Sequence, residues 1–180
     1  MTTHPTIKAS DYVLEAARTA HRTDPEYFLI GLTGEIGELC SCPKEEVKNE
    51  TGDVLWYHTG LLGSLEAKYP GSVGNVFLEE FGARPTFWCT GVDALLDLRT
   101  DLMLQVCKVN ELYKKLIGHN KPVLADLVRE LRAILPLLAK YGSLHYFSLS
   151  EAAAANVAKL RKRYPDGFSF EASAKRADEL

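Results

Sequence analysis

Apolar side chains recur at helical spacing along most of this chain. Between residues 25 and 39 an apolar residue appears at every third or fourth position, which places these residues on one face of a helix. This stripe consists of Phe28, Leu29, Leu32, Ile36 and Leu39. No segment shows sustained alternation of apolar and polar residues, which would be typical of a half-buried strand. The pattern therefore predicts an all-α protein.

The positions of helix-breaking residues divide this pattern into four to six helices, which we expect to form an antiparallel bundle in one domain spanning 1–180. The predicted helices cover residues 9–21, 25–39, 43–64, 92–117, 123–141 and 149–163. Ser10 and Ser150 are candidate N-caps, since serine oxygens accept hydrogen bonds from the first turn of a helix. Only a short turn separates the second and third helices, so residues 25–64 are predicted to form a helical hairpin.

Two segments do not follow the helical pattern. Residues 69–91 contain several glycines, two prolines and a cluster of aromatic residues, and they are predicted to be an irregular insertion with one helical turn near 76–81. The final stretch, SFEASAKRADEL, is polar and is expected to run loosely over the surface.

Four carboxylates occupy the predicted hairpin in two matched pairs. Glu35 and Glu38 lie in GEIGEL, and Glu50 and Asp53 lie in ETGDVLWY. Each pair has i, i+3 spacing, which puts both side chains on one helix face. On antiparallel helices the two pairs would meet, and four such charges require a cation to offset their repulsion. Hard oxygen ligands in this number suit Mg²⁺ or Mn²⁺, so the sequence predicts a metal site that handles phosphates.

Glycines beside these acids favour a functional site over a solvated helix face. Gly34, Gly37 and Gly52 lie inside predicted helices, where glycine lowers stability by about 1 kcal/mol relative to alanine. Such residues make sense where another helix or a ligand approaches closely.

The segment 92–141 also has the pattern of two helices joined by a turn, and it aligns with the first hairpin. Glu130 takes the place of Glu50, while Gln105, Lys108 and Ala133 stand where the other three acids would be. This likeness predicts a degenerate second copy of the hairpin without a metal site; a chance likeness of two helical hairpins is the alternative.

Composition narrows the function classes. The chain has 180 residues, nearly half of them apolar, and a net charge of −3, which gives no reason to expect a nucleic-acid-binding surface. No apolar run reaches membrane-spanning length, and the first ten residues lack the pattern of a signal peptide. Four irregularly spaced cysteines do not form a disulfide scaffold. A cytoplasmic protein that binds neither nucleic acid nor membrane is expected.

Together, GEIGEL, ETGDVLWY and NVAKLRKRYPDGF resemble the MazG-like branch of the all-α nucleoside triphosphate pyrophosphohydrolases, a superfamily that includes dimeric dUTPases and phage dCTP/dUTP pyrophosphatases. The family motif is E-x-x-E followed by E-x-x-D, here with a short spacer. The tail K-L-x-x-R-Y-P-x-G-F is matched from Lys159 to Phe168. The likeness covers most of the chain except residues 65–91.

This resemblance implies hydrolysis of a nucleoside or deoxynucleoside triphosphate to the monophosphate and pyrophosphate. It implies that Mg²⁺, or Mn²⁺ in its place, is held by the four acids, which are then the catalytic residues. The densest basic cluster of the chain is a candidate for phosphate binding, with Lys159 and Arg163 on one side of the predicted helix and Lys162 nearby. The substrate-binding candidates are Lys159, Lys162, Arg163, Tyr164 and Trp56.

Several alternatives stay open at this stage. The basic cluster can also be a solvated helix end favoured by the helix dipole, and Trp56 can pack in the core rather than stack on a base. The enzyme can be a broad nucleotide-pool house-cleaning enzyme or selective for dUTP or dCTP. The rival from another class is a non-catalytic module that binds a metal-nucleotide complex. A homodimer is also open, because members of this superfamily usually associate.

Overall fold

The computed structural model describes residues 5–74 and 92–175, and within these ranges the chain forms helices and no strands. The all-α prediction is therefore confirmed. The helices are α1 (Ala9–Thr19), α2 (Pro25–Ser41), α3 (Val47–Lys68), α4 (Val92–Gly118), α5 (Leu124–Arg132), α6 (Ile134–Leu144), α7 (Leu149–Arg163) and α8 (Phe170–Lys175). None of these helices combines the length and the apolar character needed to cross a membrane.

The described ranges hold eight helices rather than the four to six predicted. The helix predicted over 123–141 is divided at Ala133, because Pro136 has no N–H to donate to the carbonyl of Arg132 and its ring crowds that carbonyl. The short α8 forms in the C-terminal stretch that was expected to be loose. Helix α3 extends four residues beyond its predicted end, and the helical turn predicted near 76–81 lies outside the described residues.

Both serine caps predicted from the sequence were wrong. Ser148 is the N-cap of α7 and forms a capping box with Glu151, whose carboxylate accepts from the Ser148 backbone N–H at 2.7 Å. Ser150 instead accepts a hydrogen bond from the Ile7 backbone N–H and so ties the N-terminal segment to α7. Ser10 lies inside α1 rather than at its N-cap.

Helices α2 and α3 form an antiparallel hairpin whose close contact depends on two glycines. A Cβ on Gly31 would lie 2.0 Å from the ring of Tyr57, and one on Gly60 would lie 2.1 Å from the ring of Phe28. Each ring therefore fills the space that a side chain on the opposite helix would occupy. The predicted apolar stripe of α2 is buried, with exposures from 5 % at Leu29 to 0 % at Leu32, Ile36 and Leu39.

Helix α3 is the central element of the site. It packs against α2, α7, α1 and α6, while α4 packs against α2, α5 and α6. Because α3 lies between α2 and α7, its acids are placed between the acids of α2 and the basic end of α7.

Candidate metal and nucleotide site

Three of the four predicted acids form a cluster. Glu35 and Glu38 of α2 and Glu50 of α3 each offer a carboxylate oxygen, and these oxygens lie within 4.8 Å of one another. Glu35 and Glu50 are half-buried and Glu38 is exposed. We call this group the three-acid cluster. Hard anionic oxygens held by two packed helices are a donor set that fits a divalent cation such as Mg²⁺.

The raised pKa values of two of these acids also favour a bound cation. Burial, and then the charges of Asp53, Glu38 and Glu50, raise the pKa of Glu35 to about 7. Burial likewise raises the pKa of Glu50, with further contributions from Asp53 and Glu38. The cluster therefore holds more negative charge than its surroundings stabilise at neutral pH, and a bound cation would relieve that repulsion.

Asp53 lines the same pocket but does not belong to the three-acid cluster. Its two carboxylate oxygens both accept from the ammonium of Lys159. The Asn156 Nδ2 donates to Asp53 Oδ1 at 2.9 Å. The sequence placed all four acids together, whereas the structure brings three together and gives the fourth a cation from α7.

Asn156 is a site residue to which the sequence analysis assigned no role. It is 1 % exposed, and its Oδ1 accepts from Tyr12 Oη at 3.1 Å. Helix α7 can come this close only because residue 52 is glycine, since a Cβ there would lie 2.8 Å from the Asn156 Cβ. The available signal was spacing: Asn156 precedes Lys159 by three residues and Arg163 by seven, which places all three on one helix face.

The other two glycines singled out in the sequence have a different environment. A Cβ on Gly34 or Gly37 would meet nothing within 4 Å. Close helix packing therefore explains Gly52 but neither Gly34 nor Gly37, and the space beside those two glycines is open.

The basic cluster of α7 points in two directions. Arg163 lines the pocket that contains the three-acid cluster. Lys162 is exposed and lines an adjoining groove. Arg161 lies on the other side of the helix, where its guanidinium contacts the carboxylate of Glu15 at 2.7 Å. Lys159 and Arg163, but not Arg161, are thus placed toward the acids, in agreement with the predicted helical phase.

The tail motif after α7 forms a turn that returns the chain to the pocket. Tyr164 is buried and Pro165 follows the end of the helix, where proline cannot continue the backbone hydrogen bonding. Gly167 has φ +95°, a conformation that favours glycine. This turn places the ring of Phe168 parallel to that of His21, with ring centroids 4.0 Å apart.

Aromatic rings also line this pocket. We call these residues the aromatic wall, and they are His21, Tyr27, Trp56, Tyr57, Tyr164 and Phe168. Trp56 is anchored by its indole N–H, which donates to Thr19 Oγ1 at 2.9 Å, and the ring is half-buried. It therefore packs against its neighbours and also borders the pocket, and stacking of Trp56 on a base stays a prediction. The pocket has a volume of about 270 Å³.

The residues that the alignment matched in the second hairpin also meet, with opposite electrostatics. Gln105 Nε2 donates to Glu130 Oε2 at 2.9 Å, and Lys108 Nζ lies 3.5 Å from Gln105 Oε1. The hydrogen bond from Gln105, supported by Arg129, lowers the pKa of Glu130. The charge of Glu130 is therefore stabilised by neighbouring side chains, in contrast to the three-acid cluster.

Comparison with protein-family models, with curated proteins and with solved structures gave no significant match for this chain.

Proposed function

We propose that this chain is a Mg²⁺-dependent pyrophosphohydrolase that converts a nucleoside or deoxynucleoside triphosphate to the monophosphate and pyrophosphate. One observation carries the proposal: the same pocket combines the three-acid cluster, the guanidinium of Arg163 and the aromatic wall. A metal-bound triphosphate and a flat base are the two parts of a nucleotide that the pocket must bind, and its lining offers groups complementary to each. The resemblance to the MazG-like family supports the same reaction.

The acids supply the metal site in this proposal. Glu35, Glu38 and Glu50 would hold Mg²⁺, or Mn²⁺ in its place, and Asp53 is the fourth candidate ligand from the sequence motif. When bound, such an ion neutralises phosphate oxygens and makes a coordinated water more acidic.

The basic residues of α7 act on the phosphates. Arg163 offers a planar fork that matches two phosphate oxygens, and Lys159 offers a mobile point charge. Both would offset the negative charge that develops on the leaving pyrophosphate. Lys162, exposed at the adjoining groove, would contribute at longer range.

The aromatic wall would hold the base by its face. Stacking recognises the flat ring and does not distinguish base edges, whereas selectivity requires hydrogen bonds to those edges. A house-cleaning enzyme with broad base tolerance is therefore the preferred form of the proposal, and selectivity for dUTP or dCTP is the alternative. The nucleotide pool and its Mg²⁺ make the cytoplasm the proposed location.

The test is a pyrophosphate-release assay with Mg²⁺ over a panel of ribo- and deoxynucleoside triphosphates. Glu50→Gln removes one carboxylate of the three-acid cluster at nearly constant shape, and we expect at least about a hundred-fold loss of kcat. Glu130→Gln is the matched control, because Glu130 occupies the equivalent position in the second hairpin and should change the rate by less than a few-fold.

Two outcomes would contradict the proposal. If no triphosphate yields pyrophosphate although nucleotides still bind, the chain is a non-catalytic binding module. If both variants lose activity equally, the assignment of the site to the first hairpin is wrong.

A further inference from the structure

Lys159 occupies a position next to Asp53 where a cation is expected. Its ammonium contacts both oxygens of the Asp53 carboxylate, and the two side chains are only 28 % and 22 % exposed. The sequence motif makes Asp53 a metal ligand, yet in the structure its charge is already neutralised by a residue 106 positions away.

The Asp53 carboxylate also accepts a hydrogen bond from a buried side chain of α7. Asn156 Nδ2 donates to its Oδ1, and the Asn156 carboxamide is in turn fixed by the hydroxyl of Tyr12 at 3.1 Å. Asn156 and Tyr12 are buried at 1 % and 0 % exposure. This support keeps Asp53 oriented toward the pocket whichever cation it faces, so the carboxylate can exchange one cation for another without moving far.

Lys159 is suited to exchange, because an ammonium on a four-carbon stem forms point contacts and can swing between partners. Its charge also reaches the three-acid cluster, where it lowers the pKa of Glu35 and of Glu50 against the raising effects of burial and neighbouring acids. A triphosphate carries more negative charge than one aspartate and would compete strongly for this ammonium.

We propose that Lys159 is an exchangeable cation that keeps Asp53 from acting as a metal ligand until a nucleotide phosphate takes over its ammonium. The three-acid cluster is then the standing metal site, and Asp53 becomes a ligand when the substrate arrives. Nucleotide binding and completion of the metal site are thereby coupled, and the coupling is reciprocal. This inference rests on the proposed function for the identity of the phosphate compound.

The first experiment measures Mn²⁺ binding to the whole protein without nucleotide, by calorimetry or electron paramagnetic resonance. Lys159→Met preserves the length of the side chain and removes its charge. We expect it to tighten Mn²⁺ binding at least about ten-fold, because Asp53 is released. Lys114→Met, which breaks an exposed pair with Glu111 on α4, is the control and should leave Mn²⁺ binding unchanged.

The loss of any positive charge near the site would by itself tighten Mn²⁺ binding, whether or not Asp53 becomes a ligand. The effect of Lys159→Met on Mn²⁺ binding is therefore measured again in a protein that carries Asp53→Asn. If Asp53 is the released ligand, Lys159→Met should tighten Mn²⁺ binding less than about three-fold there, and the difference between backgrounds is the coupling energy. Equal effects in both backgrounds, or no effect in either, would overturn the proposal.

The second experiment adds a nucleoside triphosphate analogue with a non-hydrolysable α,β bridge. The analogue should tighten Mn²⁺ binding in the parent more than in Lys159→Met, because the variant has no ammonium to displace. Equal tightening would contradict the coupling. These binding results are separate from turnover: pyrophosphate release without the Asp53-dependent effect refutes the exchange alone, whereas the effect without pyrophosphate release refutes the proposed function alone.

Discussion

Glu35 is half-buried among other carboxylates, and its pKa is raised to about 7. Its ordinary value, near 4.5, applies in the unfolded chain. Between these two values the folded protein holds a proton that the unfolded chain has released. The contribution of Glu35 to the stability of the metal-free protein is therefore largest below pH 4.5 and is lost as the pH rises through 7.

Glu35→Gln should remove this pH dependence. In the presence of a chelator, we expect the Tm of the parent to fall relative to that of the variant between pH 5 and pH 8. The buried His58, with a pKa lowered to about 4, has the opposite effect on stability between pH 4 and 6.5, but it is present in both proteins and cancels in the difference. Thermal unfolding at several pH values measures this difference.

The Tm values of the parent and of Glu35→Gln are also compared in the presence of Mg²⁺. Saturating Mg²⁺ should stabilise the parent more at pH 8 than at pH 5, because the metal competes with protons for the carboxylates. Glu35→Gln should gain less from Mg²⁺ at every pH. Parallel Tm curves for the two proteins without metal would show that Glu35 does not titrate as described.

At the scale of the element, helix α7 turns one arginine toward the pocket and another toward α1. Arg163 lines the acid pocket, while Arg161, two residues earlier, pairs with Glu15 of α1. A helix advances about 100° per residue, so residues two apart point to different sides. The single helix therefore offers a matched pair of arginines of which one faces the proposed substrate.

Arg163→Ala should lower kcat/KM for nucleotide hydrolysis by roughly ten- to a hundred-fold, since a charge-assisted contact in a partly desolvated site contributes about 1.5–3 kcal/mol. Arg161→Ala should keep kcat/KM within a few-fold and change the free energy of unfolding little, because its ion pair is exposed. Steady-state kinetics and denaturant unfolding of both variants give the answer. A comparable loss of kcat/KM in both would mean that the phosphates lie elsewhere.

At the scale of the whole molecule, the two hairpins that the sequence alignment matches differ in their electrostatics. In the first hairpin, acids of α2 and α3 repel one another. In the second, Gln105 and Lys108 of α4 surround Glu130 of α5 with a donor and a cation. The second hairpin can therefore stabilise the fold without a metal ion, which leaves one proposed active site in each chain.

Acids placed at the matched positions of the second hairpin test whether the two hairpins share a site geometry. The double change Gln105→Glu and Lys108→Glu creates a second group of three carboxylates with Glu130. We expect a lower Tm in the presence of a chelator, because three close anions replace a paired one, and recovery of much of that loss with Mn²⁺. Ala133 is left unchanged because it lies at the break between α5 and α6.

Thermal unfolding with chelator and with Mn²⁺ measures both effects. Lys115→Glu, at a partly exposed residue near the end of α4 that pairs with Glu111, is the control for added negative charge. A variant that is destabilised without any recovery in Mn²⁺ beyond that of the control would show that the two hairpins do not share a site geometry.

The sequence alone determined the features that depend on the fixed period of a helix. The apolar stripe of α2, the shared face of Glu35 and Glu38, and the opposite directions of Arg161 and Arg163 all follow from 3.6 residues per turn. These relations are local, so neighbouring residues settle them before any packing occurs. The all-α class and the shared helix face of Glu35 and Glu38 could be predicted for this reason. The sequence also predicted that four acids meet, whereas the packed helices bring only three of them into one cluster.

Tertiary structure decided the contacts between residues far apart in the chain. The Lys159 ammonium on Asp53 spans 106 positions, and the Tyr12 hydroxyl on Asn156 spans 144. Both depend on how closely α7 approaches α1 and α3, which is set by the missing side chain at Gly52. Helical spacing fixes which side of α7 these residues occupy but contains no information on which helix will lie opposite. The partner of Asp53 could therefore be found only from the packed structure.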